Sequence, residues 1–481
     1  MTKTAAIIGG GVIGGGWAAR FLLNGWDVRI SDPDPEAARK IGEVLANARR
    51  SLPALADVAM PPEGRLSFAT SIAEAVAGAD WVQESVPERL DIKHRVFAEI
   101  QAYARADAVI GSSTSGFKPS ELQQGAARPG QIFVCHPFNP VYLLPLIEVV
   151  GSDVADPAIR QTCVDTLEKL GMKPLLVRKE IDAHIADRFL EAVWREALWL
   201  VKDGIATTEE IDDAIRFGFG LRWGQMGLFE TYRIAGGEAG MKHFIAQFGP
   251  CLAWPWTKLM DVPELTDELV ETLASQSDAQ SGMHSIRELE RIRDDNLVGM
   301  MRALKRNNWG AGALLVAQDR RMGRTAPAPG LVETQNRQVP QSWTDYNGHM
   351  NEAHYLEVFA AASDRFMEII GADADYIAAG NSYFTAETHI RHIDEVHAGA
   401  RVRVETQVLA GAGKKLHLFH SLFEGARLLA TGEHLLLHVN LNSRATSEPL
   451  PDVAAKLADY AKAHAAMPRP EGAGRAVGQK P

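Results

Sequence analysis

A histidine and a glutamate twelve residues apart are the side chains best suited to acid–base chemistry. His136 ends one apolar run and Glu148 lies in the next, so a short connection between two strands would bring them together. A carboxylate beside a histidine fixes its tautomer and stabilises the imidazolium that forms when the ring takes a proton from an alcohol. Considered alone, His136 is better explained as a hydrogen-bonded histidine at the end of a strand.

A glycine-rich turn lies near the N-terminus. Gly9, Gly11 and Gly14 fit the pattern G-x-G-x-x-G between a predicted strand and a predicted helix. Such glycines allow a tight turn and a close approach to a pyrophosphate at the helix N-terminus. Asp32 ends the second predicted strand, where a carboxylate binds the adenosine ribose and repels a 2′-phosphate. The pattern predicts a site for NAD rather than NADP, and the alternative is a turn that binds nothing.

The elements that must position these residues alternate between strand and helix. Short apolar runs such as Thr4–Ile8 and Trp81–Glu84 indicate buried strands, and helical patterns separate them. This alternation predicts an α/β Rossmann domain with a doubly wound parallel sheet over residues 1–180. From Ile181 onward the apolar residues follow a helical spacing, which predicts an all-α substrate and dimerisation domain over residues 181–324.

A third domain follows a proline-containing linker at residues 325–330. One long helix over residues 351–370 is followed by strand candidates that end near residue 439. This order predicts an α+β module over residues 331–465. The remaining residues, 466–481, are rich in glycine and proline, and we expect this tail to be disordered.

Composition bears on partners and location. The formal net charge of −11 disfavours nucleic acid as a partner, because phosphate binding needs clustered cations. The chain has no apolar run long enough to span a bilayer and no signal-peptide pattern, so no membrane partner is expected. Cys135, Cys163 and Cys251 have no tight spacing, which predicts free thiols in a reducing cytoplasm and no metal site.

Residues 1 to about 320 resemble the 3-hydroxyacyl-CoA dehydrogenase family. The resemblance rests on the glycine turn, the Ser-Thr-Ser segment that ends at Ser115, the His-Pro-Phe-Asn-Pro segment that starts at His136, and Glu148. It implies that His136 is the general base and that Glu148 is its partner. It also implies that Ser115 and Asn139 hold the substrate oxygen or carboxyl end.

Two further residues are assigned only through this resemblance. Glu88 and Lys93 match family positions that line the nicotinamide side of the cofactor. The alternative explanation for both is an exposed ion pair on a helix.

Two departures from the family bear on the substrate. The family usually has a segment like G-F-I-x-N-R at the start of the long helix after the Rossmann domain, whereas residues 183–188 read Ala-His-Ile-Ala-Asp-Arg. Asp187 therefore replaces a neutral amide, and an anion there would suit a cationic substrate better than an anionic acyl-CoA. Otherwise Asp187 is a residue favoured at a helix start, or a partner of Arg188.

The second departure is the segment over residues 33–62. It contains a single lysine, whereas CoA-using members have a lysine-rich helical excursion here.

Aromatic side chains crowd the predicted helical domain: Trp194, Trp199, Trp223, Phe229, Tyr232, Trp254 and Trp256. Aromatic faces bind quaternary ammonium groups, although core or dimer-interface roles are more common for such rings. Together with Asp187, this set of aromatic residues resembles the pattern of carnitine dehydrogenases, which are a branch of the superfamily. The resemblance implies a small trimethylammonium hydroxy acid, L-carnitine, as the substrate, and a 3-hydroxyacyl-CoA is the alternative.

Residues 331 to about 465 resemble hotdog thioesterases of the 4-hydroxybenzoyl-CoA type. The signature D-x-x-G-H-x-N runs from Asp345 to Asn351, directly before the long predicted helix. The resemblance implies that Asp345 is the catalytic carboxylate, either nucleophile or general base, and that the N-terminus of the helix polarises the thioester carbonyl. His349 and Asn351 are expected to shape the turn. The alternatives are an Asx-turn role for Asp345 and a catalytically silent hotdog module.

The fusion of the two enzymes carries information of its own. Oxidation of carnitine gives 3-dehydrocarnitine, and a route that converts this product to betainyl-CoA would need a thioesterase to release glycine betaine. We therefore expect a bifunctional chain with a CoA thioester as its second substrate. We also expect a homodimer, because proteins of both families form dimers.

Overall fold

The computed structural model describes residues 2–235, 240–248, 257, 264, 266–281, 283–323, 330–475 and 477. The chain forms two compact units. The first unit comprises residues 1–52 and 62–316, and the second comprises residues 53–61 and 317–481. No helix within the described ranges is long and apolar enough to cross a membrane. Of the predicted linker, only Gly330 lies among the described residues.

A mostly parallel sheet forms the centre of the first unit. Its eight strands are β1 (Thr4–Ile8), β2 (Asp27–Ser31), β3 (Leu66–Phe68), β4 (Trp81–Glu84), β5 (Val109–Ser112), β6 (Ile132–Pro137), β7 (Leu146–Val150) and β8 (Lys173–Val177). Their order is β3-β2-β1-β4-β5-β6-β7-β8, and among these neighbours the β6–β7 pair is the antiparallel one. The order reverses between β1 and β4, which is where doubly wound sheets bind ligands.

Helices cover this sheet and complete its core. They are α1 (Val12–Leu23), α2 (Ala37–Ser51), α3 (Ile72–Val76), α4 (Leu90–Tyr103), α5 (Pro119–Leu122) and α6 (Pro157–Lys169). Apolar side chains such as Ile8 and Val82 from the strands pack against Phe97 and Ile100 of α4 in one buried cluster. Helix α1 ends before Gly25, whose φ of +82° lies in the left-handed region that glycine adopts easily.

The rest of the first unit is helical, as predicted. The elements are α7 (Ala186–Lys202), α8 (Thr208–Ala214), α9 (Gly220–Ala235), α10 (Gly240–Phe248), α11 (Asp267–Ser281) and α12 (Ile286–Arg306), with α13 (Ala311–Gly323) ending in the second unit. Thr207 and Glu210 form a capping box at the start of α8. The helix predicted from Ile181 begins only at Ala186. Ala183 and His184 have φ of +58° and +51°, and a right-handed helix excludes that conformation.

The second unit is an antiparallel sheet that packs against a long helix. The elements are β9 (Val332–Gln338), α14 (Glu352–Ile370), α15 (Ala374–Ala378), β10 (Asn381–His392), β11 (Arg401–Ala412), β12 (Lys415–Glu424), β13 (Arg427–Asn440), β14 (Ala445–Thr446) and α16 (Pro451–Ala465). The strand order is β10-β13-β12-β11-β9, and β14 pairs with β13. Phe359 and Phe366 of α14 are fully buried in the two clusters that join this helix to the sheet.

The described part of the C-terminal tail differs from the expected disorder. Residues 466–475 form turns beside the sheet of the second unit. The Gln407 side chain donates a hydrogen bond to the carbonyl oxygen of Pro468 at 3.2 Å. The backbone N–H of Gly474 donates to Glu433 at 2.7 Å. These two hydrogen bonds join the described part of the tail to strands β11 and β13.

Candidate active sites

The glycine turn after β1 has the geometry that a bound pyrophosphate needs. Gly9 has a φ of +98°, and a Cβ added at Gly14 would lie 1.8 Å from the carbonyl oxygen of Gly9. These two positions therefore need glycine for the turn itself. A Cβ at Gly11 would meet no atom within 4 Å, so the space beside Gly11 is open toward a ligand. Helix α1 begins at once with no acidic residue in its first turn.

A cleft of about 840 Å³ opens beside this turn. It is lined by Ile8, Gly9, Gly11, Ser31, Asp32, Pro33, Ala69, Thr70, Ser71, Ile72, Ser85, Val86, Pro87, Ile92 and Val96. One oxygen of the Asp32 carboxylate accepts the backbone N–H of Gly10, and the other accepts that of Asp34 at 2.7 Å. These bonds hold the carboxylate at the edge of the cleft. The cleft, the open glycine and the acid fit a dinucleotide.

The β6–β7 hairpin brings the predicted acid–base pair together. His136 and Glu148 are directly opposite each other in the antiparallel register. The Nδ1 atom of His136 lies 3.0 Å from Oε2 of Glu148, and both side chains are buried. The other oxygen of Glu148 accepts the backbone N–H groups of Ile185 at 2.8 Å and Ala186 at 2.9 Å. The carboxylate is thereby held by the turn before α7 as well as by the imidazole.

The hydrogen bonds to Glu148 decide which nitrogen of His136 can act as a base. Burial raises the pKa of Glu148, but the bond with His136 and the two backbone amides lower it more, so the pKa lies below its ordinary value. An ionised Glu148 can accept hydrogen bonds but cannot donate them, so Nδ1 of His136 carries the hydrogen of this bond. The Nε2 atom is then the one that can accept a proton.

Asp187 lies on the other side of the same imidazole. Its Oδ2 atom is 3.6 Å from Nε2 of His136, and its side chain is 18% exposed. Burial raises the pKa of Asp187, and His136 acts in the opposite direction. The predicted substrate-binding carboxylate therefore lies beside the proton-accepting atom.

His184 is a second imidazole in this cluster and was not identified from the sequence. It is fully buried, and its ring centroid lies 5.8 Å from that of His136. Within the described part of the chain, neither of its ring nitrogens makes a hydrogen bond. Burial and then His136 lower the pKa of His184, which favours the neutral ring.

Ser115 and Asn139 follow neighbouring parallel strands of the first unit. Ser115 comes after β5 and Asn139 after the His136 strand β6, and both side chains are exposed. The carboxyl ends of parallel strands meet at one edge of a sheet, so both residues lie at the edge that carries the catalytic pair. Their contact with substrate stays a prediction.

Lys93 is buried in a charge network, which Glu88 joins with 45% of its side chain exposed. The ammonium group of Lys93 is fully buried, 2.8 Å from Glu84 and 3.2 Å from Glu88. Glu88 also accepts the hydroxyl of Thr114. The alternative of an exposed ion pair is therefore wrong for Lys93. Contact of either residue with nicotinamide remains a prediction.

In the second unit, Asp345 lies in the turn that precedes α14. One oxygen of its carboxylate accepts the backbone N–H groups of Asn347 at 2.8 Å and His349 at 3.3 Å. This is the Asx-turn geometry that the sequence left open for Asp345. Its other oxygen makes no hydrogen bond to any residue that the structure describes. Asn351 caps α14 by accepting the N–H of Ala353 at 3.0 Å, as expected for a residue that shapes the turn.

One set of described side chains has the spacing of a metal site. Ligand atoms of His349, Glu395 and His397 lie within 4.8 Å of one another. Two of these side chains already pair, since Nδ1 of His349 is 3.4 Å from Glu395.

The aromatic rings of the helical region pair mainly with neighbouring side chains. Trp223 lies 4.6 Å from Phe219, and Tyr232 stacks on Phe244 at 4.6 Å. Trp194 is 60% exposed. The predicted Trp254 and Trp256 lie outside the described residues. An ammonium cage formed by these rings stays a prediction.

Comparison with known families places each part of the chain. Residues 4–181 match the 3-hydroxyacyl-CoA dehydrogenase NAD binding domain, and residues 184–275 match the C-terminal domain of the same enzymes. Residues 339–457 match the thioesterase-like superfamily. The predicted Rossmann, helical and hotdog folds are confirmed, and the first match indicates an NAD-type cofactor.

Known relatives extend over the whole chain. A Ruegeria pomeroyi protein named L-carnitine dehydrogenase/betainyl-CoA thioesterase is 69% identical over an alignment of 481 positions, which covers 98% of this chain and 99% of that protein. The chain belongs to the L-carnitine dehydrogenase/betainyl-CoA thioesterase family. A Mesorhizobium japonicum L-carnitine dehydrogenase is 61% identical over 319 residues, 65% of this chain and 88% of that protein. The first relative is named for two activities, and the second is named for the dehydrogenase alone.

A solved structure supports the fold of the family's dehydrogenase part. It is a 5-formyl-3-hydroxy-2-methylpyridine 4-carboxylic acid 5-dehydrogenase, described as an NAD+-dependent dismutase, with 27% identity and a TM-score of 0.54. The match covers 63% of this chain and 99% of that one.

The sequence did not predict that Glu84, Ser112 and His184 belong to the dehydrogenase site. Glu84 is fully buried, and it binds Lys93 through one oxygen and the Ser112 hydroxyl through the other at 2.5 Å. A polar pair at the end of two adjacent strands was the available signal. His184 lies in the segment that departs from the family pattern, but that departure was interpreted at Asp187 alone.

Proposed function

We propose that the first unit oxidises the 3-hydroxyl of L-carnitine to 3-dehydrocarnitine with NAD, and that the second unit hydrolyses betainyl-CoA to glycine betaine. The proposal rests on one arrangement in particular. An imidazole held by Glu148 has a second carboxylate, Asp187, 3.6 Å from its proton-accepting nitrogen. The names of the full-length relatives support the same assignment.

The residues of the first unit divide the oxidation between them. The Nε2 atom of His136 accepts the proton of the 3-hydroxyl, and Glu148 stabilises the resulting imidazolium. NAD, when bound, supplies the acceptor for the hydride that leaves C3. Gly9, Gly11 and Asp32 would hold this cofactor, and the Asp32 carboxylate favours NAD because it would repel the 2′-phosphate of NADP. Ser115 and Asn139 would orient the oxygen or the carboxyl end of the substrate.

Asp187 distinguishes carnitine from a 3-hydroxyacyl-CoA. In carnitine the quaternary nitrogen is two bonds from the carbon that carries the hydroxyl, which places it within about 4 Å of the hydroxyl oxygen. A carboxylate beside Nε2 is therefore within reach of the cation when the hydroxyl is on Nε2. An acyl-CoA has no cation at this position and would bring only further negative charge.

Steady-state NADH formation from L-carnitine and from a 3-hydroxyacyl-CoA tests the dehydrogenase assignment on the full chain. We expect carnitine to be oxidised and the CoA ester to be a poor substrate. The Asp187→Asn variant should raise KM for carnitine. If only the CoA ester is oxidised, the chain is a 3-hydroxyacyl-CoA dehydrogenase and the proposal is wrong.

Asp345 is the residue proposed to carry thioester hydrolysis in the second unit. One of its carboxylate oxygens is held by turn amides, and this turn directly precedes α14. The N–H groups at that helix end can stabilise the negative charge that develops on the thioester oxygen. The residue would act as nucleophile or as general base.

Hydrolysis of betainyl-CoA by Asp345→Asn tests this role. The amide oxygen keeps an acceptor for the turn, so the fold should survive while hydrolysis falls by a factor of about 10² or more. Asp373→Asn is the matched control, because Asp373 also accepts turn amides, at the start of α15. Unchanged hydrolysis in Asp345→Asn would indicate another catalytic group or a silent module.

We also propose that the protein is a cytoplasmic homodimer. Helix α7 carries exposed apolar side chains at Phe189, Leu190 and Trp194, which a partner could cover. Cys135 and Cys163 are buried free thiols whose sulfur atoms lie 3.7 Å apart, which suits a reducing compartment.

A further inference from the structure

Both nitrogens of the catalytic imidazole face carboxylates. Nδ1 of His136 lies 3.0 Å from Glu148, and Nε2 lies 3.6 Å from Asp187. Two flanking anions stabilise the doubly protonated ring, and a ring in that state cannot accept a proton from an alcohol. Asp187 is thus positioned to oppose the first step of the reaction as long as it pairs with His136.

The charges around this pair come from three elements. Glu148 belongs to β7, His184 to the turn before α7, and Glu191 to α7 together with Asp187. His184 is buried, and burial lowers its pKa, which favours the neutral form of its ring. Because the Asp187 side chain is only 18% exposed, water and salt screen its interaction with His136 only in part.

The substrate brings a second cation to the same carboxylate. With its hydroxyl hydrogen-bonded to Nε2, carnitine has its trimethylammonium nitrogen within about 4 Å of the hydroxyl oxygen and so within about 7 Å of Nε2. A fixed positive charge there competes with the imidazolium for Asp187 and repels it directly. Both effects make protonation of His136 less favourable.

We propose that Asp187 is shared between two cations, protonated His136 and the trimethylammonium group of the substrate, so that substrate binding expels the proton from the base. This inference rests on the proposed carnitine dehydrogenase function. One proton leaves Nε2 for solvent when the cation binds, and the neutral ring then accepts the proton of the 3-hydroxyl. A hydroxy acid without an ammonium group leaves the Asp187–His136 pair intact, so His136 keeps its proton and cannot accept the one from the hydroxyl.

The pH profile of kcat/KM for L-carnitine tests the role of Asp187. The acid limb of this profile reports the protonation of the free enzyme. In Asp187→Asn the ring loses one of its two anions, so the limb should move to lower pH by about one unit. A purely structural role would lower activity at every pH without moving the limb.

Asp182→Asn is the matched control for this profile. Asp182 lies in the same turn before α7, but it is 75% exposed and pairs with Lys118 at 3.3 Å. Its removal should leave the acid limb in place. If Asp187→Asn also leaves it in place while L-carnitine is oxidised, this inference is wrong and the proposed function stands. If L-carnitine is not oxidised at all, the proposed function itself is wrong.

Proton release on binding tests the role of the cation. Calorimetry in two buffers of different ionisation enthalpy measures it on the full chain saturated with NAD. The probes are 4-trimethylammoniobutyrate and its carbon isostere 5,5-dimethylhexanoate, which keeps the carboxylate but lacks the cation. Both lack the hydroxyl and cannot react. At the midpoint of the acid limb, we expect the cationic probe to release up to about half a proton more per site than the isostere does. Asp187→Asn should remove most of this difference, and equal release by the two probes would overturn the inference.

Discussion

Lys93 is a charged side chain without solvent contact, and two carboxylates compensate for its burial. Its ammonium lies 2.8 Å from Glu84, which is also fully buried, and 3.2 Å from Glu88. A buried ion pair adds little net stability, but removal of one partner leaves an uncompensated charge in the interior. The network therefore fixes the segment after β4, which lines the cleft through Ser85, Val86 and Pro87.

Lys93→Met is expected to destabilise the first unit by about 3–5 kcal/mol, because Glu84 remains buried without its cation. Hydrogen exchange of peptides from β4 and α4 in the full chain measures this loss. Lys40→Met is the control, since Lys40 pairs with Asp34 at an exposed site, and it should change stability by less than about 0.5 kcal/mol. Equal exchange in Lys93→Met and the wild type would contradict this account of the network.

At the residue scale, sequence spacing predicted the partners that are close along the chain. Glu148 follows His136 by one hairpin, so the pairing could be inferred from two adjacent apolar runs. Asp187 was selected for its charge, but its position beside Nε2 depends on how the turn before α7 folds back onto β7. The burial of Lys93 was not predictable, because its helix has the composition of a surface helix.

At the element scale, the turn between β1 and α1 depends on a glycine that no other residue can replace. In Gly14→Ala the new Cβ would lie 1.8 Å from the Gly9 carbonyl oxygen, so the turn must shift. We expect NAD to bind at least about tenfold more weakly, since such a shift moves the N–H groups that face the pyrophosphate. Titration of the full chain with NADH measures the affinity.

Gly42→Ala is the matched control for this glycine. Gly42 lies inside α2, and a Cβ there would meet no atom within 4 Å. Alanine should stabilise the helix by up to about 1 kcal/mol and leave NAD affinity unchanged. If both substitutions affect NAD equally, the close approach at Gly14 is not what the cofactor depends on.

The sheet of the second unit contains a buried histidine that makes it sensitive to acid. His434 in β13 is buried, neither ring nitrogen makes a hydrogen bond within the described residues, and burial lowers its pKa to about 4. In the unfolded chain His434 binds a proton as the pH falls below 6.5, the ordinary pKa of histidine. In the folded unit it binds one only when the pH falls to about 4. The folded unit therefore loses stability as the pH falls through this window, by roughly 3 kcal/mol at its lower end.

His434→Leu should reduce this loss, because leucine fills the site and cannot bind a proton. Hydrogen exchange of β12 and β13 peptides from pH 7 to pH 4.5, corrected for the intrinsic exchange rate, measures the effect. His389→Leu is the control, since His389 lies on the neighbouring strand β10 and is partly exposed. An unchanged pH dependence in His434→Leu would exclude this histidine as the cause.

Element boundaries were predictable where local patterns were strong. Strands β1 and β4 begin and end at the predicted residues, and Asn351 caps the long helix as expected. Strand β10 was missed, because its central residues are exposed and carry no apolar alternation. The helix from Ile181 was overextended, because periodicity does not register the left-handed backbone at Ala183 and His184.

At the scale of the whole molecule, the exposed apolar face of α7 favours self-association. Phe189, Leu190 and Trp194 project from this helix with more than half of their surface exposed. Light scattering should give twice the chain mass of 52.4 kDa for the wild type. Trp194→Glu should shift the protein toward the monomer, whereas Tyr103→Glu, at an exposed site at the end of α4, should not. A monomeric wild type would contradict the proposed homodimer.

The most direct test of the account is a single-turnover measurement of NADH formation from L-carnitine by His136→Gln, with NAD binding measured in parallel. His136 is proposed to accept the substrate proton, so the rate should fall by a factor of about 10² to 10⁴ while NAD affinity stays close to that of the wild type. Glu148→Gln should show a smaller loss, because the imidazole remains but its cation is no longer stabilised. A His136→Gln rate near that of the wild type would contradict the central claim that this imidazole is the base.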